Sequence, residues 1–162
     1  MPYGSGNFSG EEWLDTVTLA PDLVISQQSI GVANSSSGFE YLGADGILGM
    51  GPVEVTVDTV NNTEIVPTVM DNLRSQGKIL EEVFGVYYIP ISESSTGELT
   101  IGGYDNSVIT SSVNYVSLTT TSPASRYWGI DQSITYGNDT ILSSTAGVVD
   151  TGTTLILIAT GE

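Results

Sequence analysis

Residues 146–157 form the most informative stretch of the sequence and read Ala-Gly-Val-Val-Asp-Thr-Gly-Thr-Thr-Leu-Ile-Leu. Small and apolar residues lead into Asp150, a glycine follows, and apolar residues then resume. A carboxylate between two hydrophobic strands is costly to bury unless hydrogen bonds or a shared proton compensate it. Gly152 lets backbone N–H groups approach the carboxylate, and the hydroxyls of Thr151, Thr153 and Thr154 can donate to it or to its neighbours. The pattern predicts either a functional carboxylate or an Asp that only accepts backbone hydrogen bonds at a strand-to-turn junction.

Most of the remaining chain predicts an all-β fold. Short runs rich in Val, Ile, Thr and Tyr alternate with Gly, Asn, Ser and Pro, which is typical of strands and turns. The predicted strands are residues 16–19, 23–25, 53–57, 83–91, 99–101, 113–118 and 130–136, with turns at 34–38, 92–97 and 137–138.

Residues 68–76 are the exception and predict one short helix. Apolar residues recur there at helical spacing. Thr68 and Asp71 stand three positions apart, as in a capping box, and Gly77 suits the left-handed residue that closes a helix. No repeat or linker composition interrupts the chain, so we expect one continuous unit.

Charge and composition exclude several classes of function. The chain has 19 acidic and 3 basic residues, for a net charge of −16. So few cations argue against nucleic acid and against an anionic membrane surface as partners. The absence of Cys and His excludes disulfides, thiol nucleophiles, Ser-His triads and typical zinc sites. Carboxylate and hydroxyl chemistry remains, and we expect no cofactor and no metal.

The sequence shows no apolar run of about 18 residues and no signal-peptide pattern. Asn7, Asn34, Asn61 and Asn138 each begin an Asn-x-Ser/Thr sequon. We therefore expect a secreted, extracellular protein whose signal segment is not in this chain.

Several further motifs follow one another in a fixed order. They are Tyr3-Gly4-Ser5-Gly6, Ala-Asp-Gly-Ile-Leu-Gly-Met at 44–50, the helix at 67–77, Gly-Glu-Leu-Thr-Ile-Gly-Gly at 97–103, Tyr-Trp-Gly-Ile at 127–130 and Val-Asp-Thr-Gly-Thr-Thr at 149–154. The first alone predicts an ordinary hairpin tip or a frayed terminus. In this order, across essentially the whole chain, the motifs resemble the pepsin-like aspartic proteases, and among these the fungal polyporopepsin type.

The resemblance implies a partial pepsin-like acid protease fold with one short helix. Residues 1–118 would be the second half of the N-terminal lobe with the inter-lobe connection, and residues 119–162 the start of the C-terminal lobe. Asp150 would be the catalytic Asp of that lobe. The implied substrate-binding residues are Tyr3, Gly4, Ser5, Gly6, Ile47, Gly152, Thr153 and Thr154.

Among these, Tyr3 matches the tyrosine of the flap that closes on a peptide. Ile47 matches a position lining the pocket for the side chain before the scissile bond, and Phe39 is expected near that pocket. Asp45 is expected to be a turn residue that orders its loop.

The sequence departs from this family in one respect that affects activity. Catalysis there needs two carboxylates that share a proton, and this chain has one Asp-Thr-Gly. Asp15-Thr16 and Asp58-Thr59 lack the glycine and fall at predicted strands. We therefore expect a central segment without the part that carries the first Asp-Thr-Gly, with sheet edges exposed where partners are absent.

Three hypotheses follow. The chain is a segment of a secreted aspartic endopeptidase, inactive alone and completed by the missing remainder of the protease. Alternatively, it is a truncated, non-catalytic pepsin-like protein that binds peptides. In the third, two copies pair Asp150 across a two-fold axis as a homodimer. The expected partners are a peptide or protein substrate and, where the cleft is complete, statine-type inhibitors.

Lowering the pH from about 7 to about 5 is expected to raise the melting temperature, because carboxylate protonation weakens self-repulsion in so acidic a chain. Thermal unfolding at low salt measures the change in melting temperature, which should rise by about 2–4 °C for each kcal/mol of unfolding free energy gained. Added salt at neutral pH is the control, since screening should recover part of the gain. A melting temperature that drops on acidification would contradict the argument.

Overall fold

A computed structural model of the chain describes residues 6–39, 43–61, 63–90, 92 and 96–158. The chain divides into two compact units, Met1–Val113 and Asn114–Glu162. Within the described residues each sheet has two strands. The lobe boundary after residue 118 stays a prediction. The mostly β architecture with one short α-helix confirms the expected fold class.

The first unit begins with a long antiparallel hairpin. Strand β1 (Asn7–Ala20) pairs with β2 (Leu23–Ser37), and the pairing shifts register at three places. One shift lies where Gln27 adopts a left-handed φ of 58°. Such bulges bend and twist a hairpin.

Helix α1 (Val69–Ser75) packs on this hairpin and has the predicted capping box. The backbone N–H of Thr68 donates to the Asp71 carboxylate at 2.6 Å, and the Asp71 N–H donates to the Thr68 hydroxyl at 3.3 Å. After the helix Gly77 has a φ of 68°, and Lys78 N–H donates to the Leu73 carbonyl at 2.8 Å. Both ends of the helix were therefore predicted from local sequence.

The core of the first unit is small. Ile25 of β2 and Leu73 of α1 are fully buried. Their cluster also includes Val69, Met70 and Ile79, with Leu19, Leu23, Met50, Phe84 and Ile101 packed against it. A second hairpin, β3 (Phe84–Tyr87) with β4 (Glu98–Ile101), contributes two of these side chains.

The second unit is built on one hairpin. A 3₁₀ helix (Ala124–Arg126) precedes β5 (Gly129–Tyr136), which pairs antiparallel with β6 (Asp139–Val148). Gly137 and Asn138 make the connecting turn, as predicted, with Gly137 at a φ of 59°.

Three sequence predictions were wrong. Residues 53–57 are not a strand: a 3₁₀ helix (Val53–Thr56) begins after Pro52, and the Thr56 hydroxyl donates to the Val53 carbonyl at 2.7 Å. Residues 113–118 form no strand, since they pair with no other described strand. Residues 34–37 continue β2 instead of turning, because β1 offers them ladder partners as far as Asn7.

Two of the Asp-Thr pairs without glycine are now placed. Asp15-Thr16 lies in β1 as predicted. Asp58, in contrast, lies in a turn with a left-handed φ of 59°. Neither pair reproduces the loop at residue 150.

A third short 3₁₀ helix (Asn106–Val108) belongs to the first unit and is capped by Asp105. The backbone N–H and the hydroxyl of Ser107 both donate to this carboxylate, and they lower the pKa of Asp105 below its ordinary value of 3.8. Because the pKa of Asp105 is lower in the folded state, the cap stabilises the fold at pH values above the ordinary pKa of 3.8. Its contribution is lost as the pH falls through the folded-state pKa.

Many large apolar side chains of the described chain face solvent. Trp13 and Leu14 of β1 are 58% and 61% exposed, and Leu155, Ile156 and Leu157 are 70%, 86% and 77% exposed. Among the described residues no helix is long and apolar enough to cross a membrane. Exposed apolar surface, where it forms a contiguous patch, is typical of sites that contact another protein, a membrane or a ligand.

Replacing Leu73 by alanine is expected to cost about 2–5 kcal/mol of unfolding free energy, because the side chain is fully buried. Urea denaturation measures the change. Leu80→Ala is the matched control, since Leu80 is 85% exposed and its loss should stay within about 0.5 kcal/mol. Equal costs for the two variants would refute the assigned core.

Candidate active site

The β5–β6 hairpin determines where Asp150 lies. Strand β6 ends at Val148, and the Val149 N–H still donates to the Trp128 carbonyl at 2.9 Å. The backbone pairing therefore extends one residue beyond the strand. Asp150 is the first residue after it, at the point where the chain turns.

The Asp150 carboxylate is held by its own loop. The Gly152 backbone N–H donates to Oδ1 at 2.8 Å, and the Thr153 hydroxyl donates to Oδ2 at 2.5 Å. A Cβ at Gly152 would lie 3.2 Å from Oδ1, which is a tight contact. Gly152 and Thr153 therefore contact the carboxylate directly, and their roles in binding substrate stay predictions.

Burial of Asp150 between two hydrophobic strands is not observed. Asp150, Thr153 and Thr154 are exposed, and residues 155–158 form no strand. Val149 on one side and Leu155 on the other are 52% and 70% exposed. The physical reason lies within the second unit, where β5 and β6 are the only described strands and no third strand covers the loop.

A polar link that the sequence analysis did not predict braces the hairpin at its base. The buried Thr119 hydroxyl donates to Asp131 Oδ1 at 2.7 Å and accepts from the Thr121 N–H at 3.2 Å. The Thr119 N–H donates to the Gly129 carbonyl at 2.8 Å. Gly129 and Asp131 are distant from Thr119 in sequence, and no local pattern links either of them to it.

Gly129 has a strict steric role in the same place. A Cβ there would lie 2.3 Å from the Ala124 carbonyl oxygen. Only glycine lets the 3₁₀ helix and the start of β5 approach this closely. The Tyr-Trp-Gly-Ile motif therefore contains the residue that joins the hairpin to the segment before it.

The other predicted binding residues belong to the first unit. Ile47 is 52% exposed and lines a cavity of about 1350 Å³. Phe39 and Asp45 line it as well, together with residues of β1 and β2. Phe39 was expected near the Ile47 pocket, and the two residues do share one cavity.

The expected flap is only partly visible. Tyr3, Gly4 and Ser5 lie outside the described residues. Gly6 directly precedes β1, and a Cβ on it would lie 2.2 Å from the Ser37 carbonyl oxygen. The described part of the chain contains no group of three or more acidic, His or Cys side chains arranged to hold a metal ion.

Comparison with known proteins identifies the class. A model of the eukaryotic aspartyl protease family matches residues 1–162. The chain belongs to this family, which confirms the resemblance drawn from the ordered motifs.

Individual relatives narrow the resemblance to a fungal type. The chain is 58% identical to polyporopepsin from Irpex lacteus over 98% of its length, and 37% identical to rhizopuspepsin from Rhizopus chinensis. It also matches the crystal structure of the aspartic proteinase from Irpex lacteus with a TM-score of 0.91 at 56% identity, over 98% of this chain and 47% of that one. The chain spans 47% and 39% of the two curated relatives, less than half of each.

Replacing Thr119 by valine is expected to destabilise the second unit by about 1–3 kcal/mol, because Asp131 and the Thr121 N–H each lose a partner. Urea denaturation measures the loss, and amide hydrogen exchange at Thr121 and Gly129 should accelerate. Thr145→Val, at an exposed position of β6, is the control. If both variants have the unfolding free energy and amide exchange rates of the parent chain, the Thr119 hydroxyl does not stabilise the hairpin.

Proposed function

We propose that this chain supplies one half of the active site of a secreted acid endopeptidase, with Asp150 as one of two catalytic carboxylates. The loop geometry at Asp150, in a chain that belongs to the aspartyl protease family, carries the proposal. The reaction is hydrolysis of internal peptide bonds by a water molecule that a carboxylate activates.

The hydrogen bonds at Asp150 suit this role. One donor reaches each carboxylate oxygen, so the plane of the group is held by Gly152 and Thr153. These two bonds use two of the roughly four acceptor sites of an ionised carboxylate. An attacking water and a second carboxyl group can then approach from the exposed side.

The isolated chain is proposed to be inactive. Two carboxylates a few ångströms apart cannot both ionise, so one stays protonated and polarises the peptide carbonyl while the other activates water. With one Asp-Thr-Gly in the sequence, the second group must come from another polypeptide segment.

The substrate is a peptide. Thr153 and Thr154 would line the path of the peptide beside Asp150. Ile47 and Phe39 would line the pocket for the side chain before the scissile bond. Tyr3, Gly4, Ser5 and Gly6 would form the flap. Apolar side chains around the scissile bond suit the apolar residues of the Ile47 cavity. An acid, extracellular setting suits the net charge of −16.

One observation favours a second function, peptide binding without cleavage. The cavity in the first unit exists without any contribution from Asp150. A non-catalytic relative would retain that cavity and the exposed edge of β1 or β2, to which an extended peptide can add as a strand.

The test uses two proteins: the 162-residue chain alone, and polyporopepsin in which the aligned segment is replaced by this chain. Each is incubated at mildly acidic pH with an acid-denatured protein substrate. We expect no cleavage by the isolated chain and statine-sensitive cleavage by the graft. Asp150→Asn in the graft should reduce kcat by on the order of 10²–10⁴-fold or more.

Asp139→Asn is the matched control, because Asp139 is an exposed carboxylate at the turn of the same hairpin. The graft with Asp139→Asn should retain full activity. Cleavage by the isolated chain that Asp150→Asn abolishes would support the homodimer, which sedimentation then verifies. A folded graft that binds peptide but does not cleave it would refute the endopeptidase proposal and support peptide binding without cleavage.

A further inference from the structure

The turn of the β5–β6 hairpin presents an asparagine in an unusual setting. Its sequence is Tyr-Gly-Asn-Asp-Thr at residues 136–140. Tyr136 pairs with Asp139 directly below the turn, and the next pair joins Thr135 to Thr140. Asn138 is therefore at the tip of a tight two-residue connection, and its side chain is exposed.

The four sequons differ in their structural contexts. Asn7 lies in β1 and pairs with Ser37, Asn34 lies inside β2, and Asn61 lies in a turn. Asn138 alone has an aromatic residue two positions before it, because the residues at that position are Ser5, Val32, Thr59 and Tyr136.

Tyr136 is also highly exposed. It is 79% exposed at the end of β5, in the residue pair next to the turn. A large aromatic ring in water is a favourable surface for the apolar face of a sugar, since contact removes apolar area of both from water.

We propose that Asn138 is an N-glycosylation site and that the first N-acetylglucosamine packs on the ring of Tyr136. The proposal rests on the secretory route of the proposed function, because the modification occurs in that pathway. A glycan here would shield the exposed tip of the hairpin and stabilise the pairing that positions Asp150.

The modification is a nucleophilic substitution at C1 of the sugar. The side-chain amide nitrogen of Asn138 forms a bond to C1 of the reducing-end N-acetylglucosamine of a lipid-linked oligosaccharide pyrophosphate. The bond between C1 and the pyrophosphate oxygen breaks, the amide loses one proton, and the lipid pyrophosphate leaves.

The first experiment tests whether the site is used. The full chain behind a secretory leader is translated with microsomal membranes, and each added glycan appears as one gel-mobility step that glycosidase removes. Asn138→Gln should remove one step, whereas Asn114→Gln, an exposed asparagine outside any sequon, should remove none. An unchanged number of steps in Asn138→Gln would overturn the proposal.

The second experiment tests the packing on Tyr136. The glycans of the secreted chain are trimmed to their first sugars. Melting temperatures are then measured with and without Asn138→Gln in three backgrounds: the parent chain, Tyr136→Ser and Tyr115→Ser. Tyr115 is 78% exposed and matches Tyr136 without preceding a sequon. The sugar should raise the melting temperature in the parent and in Tyr115→Ser, but not in Tyr136→Ser.

Slower amide exchange along β5 and β6 should accompany the stabilised state. An equal rise in the Tyr136→Ser background would show that the ring is not the contact and would refute the packing. Neither readout depends on peptide hydrolysis. A failure here would therefore leave the Asp150→Asn result unchanged, and an inactive graft would leave the glycan result unchanged.

Discussion

The hydrogen bond from the Val149 N–H to the Trp128 carbonyl sets the geometry on which the candidate site depends. It keeps the chain in register for one residue past β6, so the turn begins at Asp150. Gly129, next to Trp128, touches the Ala124 carbonyl so closely that no side chain fits. The segment before β5 is thereby joined to the end of β6. Backbone contacts therefore position the loop, and the Gly152 N–H and the Thr153 hydroxyl hold the carboxylate.

The first unit depends on a different kind of contact, in which Ile25 meets Leu73 across the hairpin and α1. Gln76 at the end of the helix strengthens the same junction. Its side-chain amide donates to the Ser26 carbonyl at 2.8 Å and accepts from the Ser26 N–H at 3.0 Å. It therefore takes the place of a strand partner where the β1–β2 register shifts. A small apolar core and one polar clamp hold helix and hairpin together.

Sequence patterns predicted the parts whose causes are local. The capping box at Thr68 and the loop at Asp150 each use partners two or three residues away, and both were identified. Residues 53–57 were misjudged because β-branched composition favours a strand, whereas Pro52 and the Thr56 hydroxyl stabilise a 3₁₀ turn. The Thr119–Asp131 bond was missed because its partners are twelve residues apart. Contacts of that kind follow from pairing register, which one sequence does not display.

The exposure of Asp150 gives a physical reason for the proposal that activity requires more polypeptide. In water, two carboxylates at 4 Å repel by only about 1 kcal/mol, too little to force them to share a proton. When a partner segment excludes water, the repulsion rises several-fold and one group must stay protonated. The exposed apolar residues 155–157 would provide the driving force for the proposed partner segment to bind beside the loop. In the proposed function, assembly and catalytic competence would therefore depend on the same event, the covering of Asp150 by apolar polypeptide that brings a second carboxyl group.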